Sequence, residues 1–207
     1  MFAQVESGSI TSFPKGNKGI QIGDNNYPRT IYTLWTEAER NAIGIYTVEI
    51  NETNRKDETY YINTDISYAF GSGKVTGSYG TATAKAIADS LYTSQDNTDG
   101  LIPEDKSVGD VKVKGLKTQY KENFNAQAAG LLAPTDWYVV KATEVSDYSV
   151  PSAITTYRAA VRTKVNAMET AIDNCANVEA LITLLEYTTD SDGVTSRPLG
   201  EFPDEVI

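Results

Sequence analysis

The 207-residue chain contains no histidine and a single cysteine, Cys175. Without histidine it cannot build a Ser-His-Asp or Cys-His nucleophile system, nor a histidine-ligated zinc site. A lone cysteine excludes an intramolecular disulfide and a multi-cysteine metal cluster, and it is typical of a protein made in a reducing compartment. Two carboxylates can cleave a glycoside without histidine, but such enzymes usually have a long aromatic-rich cleft on a larger fold. We therefore expect no catalytic residues, no metal and no other cofactor.

Long apolar runs and positive charge are also scarce. No stretch approaches the ~20 apolar residues that a membrane helix requires, and the first residues lack the basic-then-apolar pattern of a signal peptide. The 18 Lys and Arg residues are outnumbered by 28 Asp and Glu residues, which gives a net charge of −10. Because nucleic-acid binding needs a basic face, we expect neither a nucleic acid nor a membrane as a partner.

Residues 1–80 contain the pattern of short strands and turns. Ser7-Gly8 separates two alternating segments, 2–6 and 9–13, and a Gly at this position suits the tight turn of a β-hairpin. Thr36 and Glu39 have the spacing of a capping box, which predicts a helical turn that ends near Gly44. Further strands are expected at 30–35, 45–50, 59–69 and 74–79. The sequence predicts a mostly antiparallel β-domain over residues 1–80.

Residues 81–102 are interpreted as a connecting segment. Ala82, Ala84, Ala86 and Ala88 favour a short helix at roughly 81–92, and the polar run 94–100 is the candidate linker. Two acidic motifs, Asp96-x-x-Asp99-Gly100 and Asp190-x-Asp192-Gly193, lack the further acids of a calcium loop. Turn chemistry explains both motifs.

The second half of the chain has helical periodicity. Leu116, Tyr120, Phe124 and Ala128 recur every four residues, and Gly130 is a candidate helix end. A second helix carries a heptad-like seam, and a third runs from Val178 to about 187 with Asn177 as its N-cap. The seam consists of Ile154, Tyr157, Val161, Val165, Met168 and Ile172. We expect an α+β protein with a helical hairpin over 103–187 and an extended acidic tail over 188–207.

Seven residues are candidates for interactions. Tyr157, Val161, Val165 and Met168 of the seam either pack against the 116–128 stripe or join subunits of a symmetric homo-oligomer, and both can hold at once. Trp137 is expected to be buried over the turn between the two long helices. Trp35 and Tyr46 belong to a Tyr-rich surface that binds glycan or protein, or else to the packing of the sheet.

The segment Leu131-Leu132-Ala133-Pro134-Thr135-Asp136-Trp137, followed by Tyr157-Arg158-Ala159-Ala160-Val161-Arg162, resembles phage tail fibre assembly proteins and related small tail proteins. In that family a helix ends in a Leu-x-x-(Thr/Ser)-Asp-Trp box, and a Tyr-Arg-x-x-(Leu/Val)-Arg helix follows. The likeness covers roughly residues 115–175, and the first fifty residues more weakly. Family members of the assembly type often end in aromatic and proline-rich sequence, whereas this chain has Phe202-Pro203-Asp204-Glu205.

The resemblance implies a non-enzymatic virion protein of the tail, baseplate or fibre-attachment region. Such a protein would act as an assembly adaptor on other tail or fibre proteins, in a particle assembled in the host cytoplasm. One alternative is a chaperone that folds the fibre and is absent from the mature virion. A second alternative is a receptor- or glycan-binding module centred on the N-terminal aromatic residues.

Overall fold

The computed structural model describes residues 1–206 and consists of 36% helix and 23% strand. The strands concentrate in the N-terminal part and the long helices in the C-terminal part, which confirms the α+β class. The chain divides into two compact units, of which the first spans Met1–Thr83 and the second begins at Ala84.

The first unit is built from short strands and two short helices. In chain order these are β1 Phe2–Glu6, β2 Ser9–Ser12, β3 Ile20–Ile22, β4 Asn25–Tyr27, α1 Ile31–Leu34, α2 Glu37–Ala42, β5 Ile45–Asn51, β6 Tyr61–Ile62, β7 Ile66–Gly71 and β8 Lys74–Tyr79. Strand β9, Thr83–Ala84, follows at the boundary of the unit.

Five strands form one curled sheet in the order β2-β1-β5-β8-β7. All neighbours are antiparallel except β5 and β8, so the prediction of a mostly antiparallel sheet is confirmed. The β1–β2 hairpin turns at Ser7 and Gly8, which have φ angles of 49° and 80°. The two edges of the sheet approach each other, since the rings of Phe13, just after β2, and Tyr68, on β7, are 4.7 Å apart. Ala3, Val5, Val48 and Val75 form the core of this sheet.

The strand expected at 30–35 is wrong, because residues Ile31–Leu34 form helix α1. Ile31 and Tyr32 are buried in a second cluster with Ile45, on the other side of β5 from the Val48 cluster. A single helical turn buries these two adjacent side chains together, whereas a strand would point them to opposite faces. The capping box at Thr36 and Glu39 is confirmed at the start of α2.

The second unit contains four longer helices and several short elements. In chain order these are β10 Ser90–Leu91, α3 Ser94–Thr98, β11 Val111–Val113, α4 Leu116–Leu132, a 3-10 turn at Ala133–Thr135, α5 Asp136–Glu144, α6 Ser152–Asp173, α7 Val178–Leu185, β12 Thr188–Thr189 and β13 Thr195–Ser196.

Helices α4 and α6 pack along one another, as their apolar stripes predict. Leu116, Phe124 and Ala128 are buried on α4, and all six predicted seam residues are buried on α6. Helix α7 begins as predicted, with the Asn177 Oδ1 accepting a hydrogen bond from the Ala180 N–H at 2.8 Å. The helical hairpin is therefore confirmed, with α5 as an additional helix between its two long members.

The helix expected at 81–92 is wrong. The segment is extended, and the carbonyls of Ala86 and Ile87 accept hydrogen bonds from the N–H groups of Leu116 and Lys117 at the start of α4, both at 3.0 Å. Alanines at every second position fit the period of a strand better than that of a helix. The polar run at 94–100 is not a loop linker either, because Thr93 and Asp96 form a capping box that starts α3.

Two further expectations in the second unit need correction. Helix α4 does not end at Gly130 but continues to Leu132. The C-terminal tail is not simply extended: β12 and β13 form a hairpin, and Leu199 beyond it is buried. The Lys164 Nζ donates a hydrogen bond to the Leu199 carbonyl at 2.7 Å, so this part of the tail is held on α6.

Candidate docking surface on helix α5

The junction between α4 and α5 is held by one buried cation. Arg158, on α6, has a side chain that is only 11% exposed. Its Nη1 donates to the Leu132 carbonyl at 3.1 Å and also to the Thr135 hydroxyl, and it forms an ion pair with Asp136 Oδ1 at 2.7 Å. A single guanidinium group therefore joins the end of α4, the 3-10 turn and the first residue of α5.

The other contacts at this junction satisfy carbonyl groups at the end of α4. The Tyr157 hydroxyl donates to the Leu131 carbonyl at 3.4 Å, and the fully buried Thr135 donates to the Leu132 carbonyl at 2.6 Å. Carbonyls in the last turn of a helix lack intrahelical partners and carry partial negative charge, so both hydroxyl donors and a cation stabilise them. Thr135 and Asp136 on one side, and Tyr157 and Arg158 on α6, thus hold the junction between α4 and α5 together.

Helix α5 carries a run of four apolar residues at 137–140, and within residues 1–206 no part of the chain buries it. Each of its nine residues is exposed or half-buried. Trp137 is 51% exposed, Val139 41% and Val140 52%, and Val145 follows directly after the helix at 44%. We call Trp137, Val139, Val140 and Val145, together with the half-buried Tyr138, the α5 surface.

The prediction that Trp137 is buried over the turn is wrong. Its ring lies 3.8 Å from the ring of its neighbour Tyr138, and the Lys141 ammonium is 5.8 Å from the Trp137 ring and 4.4 Å from the Tyr148 ring. Trp137 is therefore held against neighbours on its own segment instead of the helix hairpin. Because Arg158 and Thr135 complete the junction, the indole ring is left at the surface.

The charges around the α5 surface are mostly acidic. Asp136 is neutralised by Arg158, whereas within residues 1–206 neither Glu144 nor Asp147 takes part in an ion pair. Lys141 is the one base on the helix, and it lies over the two aromatic rings. The rim of the surface therefore presents negative charge beside an apolar centre.

The other candidate residues on α6 are core residues. Tyr157, Val161, Val165 and Met168 come together as predicted, with exposures of 3%, 0%, 7% and 1%. They are buried within one chain by the packing of α6 against α4 and its other neighbours. A contact with another subunit would therefore have to use other residues.

Trp35 and Tyr46 lie in different clusters of the first unit. Trp35 packs beside Ile31 and Ile45, with its ring at right angles to that of Tyr27 at 5.9 Å. Tyr46 packs against the Val48 and Val75 cluster, and its ring is 4.9 Å from that of Phe70. The structure does not bring Trp35 and Tyr46 together into one aromatic surface.

The sequence did not lead us to predict that Val139 and Val140 are exposed, or that Arg158 anchors the junction. The signal was present, because Trp137 to Val140 is a run of four apolar residues without the polar positions that an amphipathic helix needs. A run of this kind on a short helix either is buried on all sides or is exposed. The sequence pattern alone does not distinguish between these two cases.

The acidic motifs behave as turns and caps. Asp190 Oδ1 accepts hydrogen bonds from the N–H groups of Asp192 and Val194, both at 2.9 Å, which confirms a turn at this position. Throughout residues 1–206, no three Cys, Asp or Glu side chains gather into a group that could hold a metal ion. Among the helices in this described range, none is long and apolar enough to cross a membrane.

Comparisons of the chain with protein-family models, with curated proteins and with solved structures found no match.

Proposed function

We propose that this chain is a non-enzymatic structural protein of a phage tail, baseplate or fibre-attachment region, and that the α5 surface is its assembly contact. The resemblance of residues 131–137 and 157–162 to small tail proteins supports the phage assignment. The observation that carries the adaptor role is the exposure of Trp137 and Val140 on one side of a helix that has no buried residue.

The contacts of the Thr-Asp-Trp box favour an adaptor role over a role in which the box only stabilises the fold. Thr135, Asp136, Tyr157 and Arg158 contact one another or the end of α4, and these contacts position α5 on the helix hairpin. Trp137 and Val140 are three positions apart and therefore share one side of α5. Exposed apolar patches mark interaction sites, and Trp and Tyr are enriched among the residues that dominate binding energy. Trp137 is the residue that this anchoring leaves available to a partner.

The expected partner is a neighbouring tail or fibre protein with an apolar groove and a basic rim. An apolar groove would cover Trp137 and Val140, and basic residues would face Glu144 and Asp147. Because the chain carries a net charge of −10, association with a basic surface is favoured electrostatically over association with another acidic one. The same charge disfavours close contact between two copies of this surface.

The test is incorporation into particles. Mass spectrometry of purified virions is expected to find the protein in a fixed ratio to the major tail proteins. Phage that carry Trp137→Ala or Val140→Ser should contain several-fold less of it, because the substitution removes apolar contact area at the centre of the surface. Both variants should retain the unfolding midpoint of the wild type within the equivalent of ~1 kcal/mol, because both side chains are half-exposed.

Val194→Ser is the matched control. Val194 is 58% exposed and Val140 is 52% exposed, but Val194 lies in the β12–β13 turn, away from α5 in the sequence. Equal incorporation of the two valine variants would reject the α5 surface as the contact. A protein that accumulates with fibre in infected cells but is missing from purified virions would instead establish the chaperone alternative.

A further inference from the structure

A second candidate site lies in the first unit and is independent of the α5 surface. The segment from Phe13 to Ile20, which we call the Phe13–Ile20 loop, curls around a cleft of about 470 Å³ that is also lined by Tyr32. A cleft of this size falls within the range of small-ligand sites, which is ~300–1,000 Å³. The volume suits a ligand of one or two sugar rings, or one nucleotide.

The loop is shaped by close packing onto aromatic rings. Gly16 has a φ of +70°, and a Cβ added to it would lie 3.4 Å from the Phe2 ring and 3.5 Å from the Tyr32 ring. A Cβ on Gly19 would lie 2.6 Å from the Tyr27 carbonyl oxygen, so only glycine fits there without movement. The loop backbone at Gly16 therefore packs directly on the rings of Phe2 and Tyr32.

The cleft is positively charged on an otherwise acidic protein. Lys15 and Lys18 both line it and are exposed, and within the described part of the chain neither forms an ion pair. No acidic residue occurs in the sequence between Glu6 and Asp24. Lysine is a common point-charge partner of phosphate and carboxylate groups, so these two side chains select an oxyanion.

Backbone N–H groups of the loop are further candidates for binding an oxyanion. Among residues 1–206, no hydrogen bond uses the backbone N–H groups of Lys15, Gly16, Asn17 or Lys18 as donors. Consecutive N–H groups in a turn form concavities that bind anions. The buried Tyr32 hydroxyl also lacks a hydrogen-bond partner, and burial raises the pKa of this tyrosine, so it remains a neutral ring beneath the loop.

We infer that the Phe13–Ile20 loop binds a single sugar unit that carries an oxyanion, either a phosphate or a carboxylate. The lysines and backbone N–H groups would hold the oxyanion. Phe13, which is 42% exposed, provides an apolar face for the sugar ring. A nucleic-acid chain is disfavoured because its other phosphates would lie along a protein with a net charge of −10.

The inference is tested by titrating the full chain with four probes and following backbone amide signals by NMR. Glucuronate and glucose 6-phosphate represent the carboxylate and phosphate sources, neutral glucose tests the need for charge, and AMP tests a nucleotide. We expect either or both anionic sugars to shift the amide signals of Phe13, residues 15–20 and Tyr32, with an affinity about tenfold or more above that of glucose. Added salt should weaken this binding.

The double variant Lys15→Ser/Lys18→Ser should lose at least about tenfold in affinity for the anionic sugars while its spectrum otherwise stays unchanged. Lys74→Ser/Lys106→Ser is the control with the same change in net charge, and it should bind as the wild type does. Glucose binding as tightly as the charged sugars, AMP binding more tightly than either, signals that shift elsewhere, or no shift with any probe would each overturn the inference.

Discussion

At the scale of single residues, Arg158 is a polar side chain that positions the helix carrying the exposed apolar residues, α5. The guanidinium group reaches the Leu132 carbonyl, the Thr135 hydroxyl and the Asp136 carboxylate, which belong to three successive segments of the chain. A buried cation is tolerated only when it is paired and hydrogen-bonded, and Arg158 meets this condition. The direction of α5 therefore depends on one side chain of α6.

Replacing Arg158 by methionine is expected to lower the free energy of unfolding by about 1–3 kcal/mol. The charged hydrogen bonds to Leu132 and Thr135 are lost, whereas the ion pair adds little because the Asp136 side chain is 60% exposed. Urea denaturation followed by circular dichroism measures the change. Arg162→Met is the control, because Arg162 lies one turn further along α6 and is exposed. A loss of the same size in both variants would contradict the anchoring role of Arg158.

At the scale of secondary-structure elements, the start of α4 depends on a distant segment. Its N-cap position is Gly115, which has no side chain to cap the helix. The Asp89 Oδ1 accepts a hydrogen bond from the Gly115 N–H at 2.7 Å, and this bond lowers the pKa of the Asp89 carboxyl group. The carbonyls of Ala86 and Ile87 take the next two N–H groups. The extended segment 84–89 thus replaces a local cap.

Two glycines of the α4 region should respond to alanine in opposite directions. A Cβ on Gly115 would lie 2.3 Å from the Ala88 carbonyl carbon, so Gly115→Ala should destabilise the protein by about 2–3 kcal/mol through overpacking. Gly130 lies inside the helix with open space around it, so Gly130→Ala should stabilise by ~0.5–1 kcal/mol through helix propensity. Thermal unfolding of both variants measures the signs. A destabilising Gly130→Ala would contradict this account of the helix.

The elements that could be predicted from the sequence are those with strong local signals. The α6 seam, the Asn177 cap and the Ser7-Gly8 hairpin each express a short-range rule, and the structure confirms all three. The segments 31–34 and 81–92 were predicted wrongly because their conformations are set by contacts with β5 and with the start of α4. Tertiary contacts of this kind override local propensity.

The candidate sites, too, could be predicted from the sequence only in part. The sequence identified the Thr-Asp-Trp box but not which of its residues would be exposed. Arg158, 21 positions after Trp137, holds the residues that precede the exposed Trp137. A contact between residues so far apart in the chain cannot be read from local periodicity. The lysine-bearing loop at 13–20 was missed because its residues become a cleft only when Gly16 packs on Phe2 and Tyr32.

At the scale of the whole molecule, each of the two compact units has its own apolar core. In the first unit the core lies inside the curled sheet and includes Val75, whereas in the second unit it lies between α4 and α6 and includes Val161. Both valines are fully buried. The two proposed sites are divided in the same way, with the Phe13–Ile20 loop on the first unit and the α5 surface on the second.

Separate cores predict that the units unfold separately. An aspartate at either valine would bury an unpaired charge, which typically costs more than ~4 kcal/mol and should unfold the unit that contains it. Val161→Asp should lose most of the helical signal at 222 nm but keep the dispersed NMR signals of Val5 and Val48. Val75→Asp should do the reverse and keep the signals of Met168 and Leu181. Light scattering would show whether either variant changes the mass in solution, and loss of both sets of signals in one variant would contradict separate unfolding.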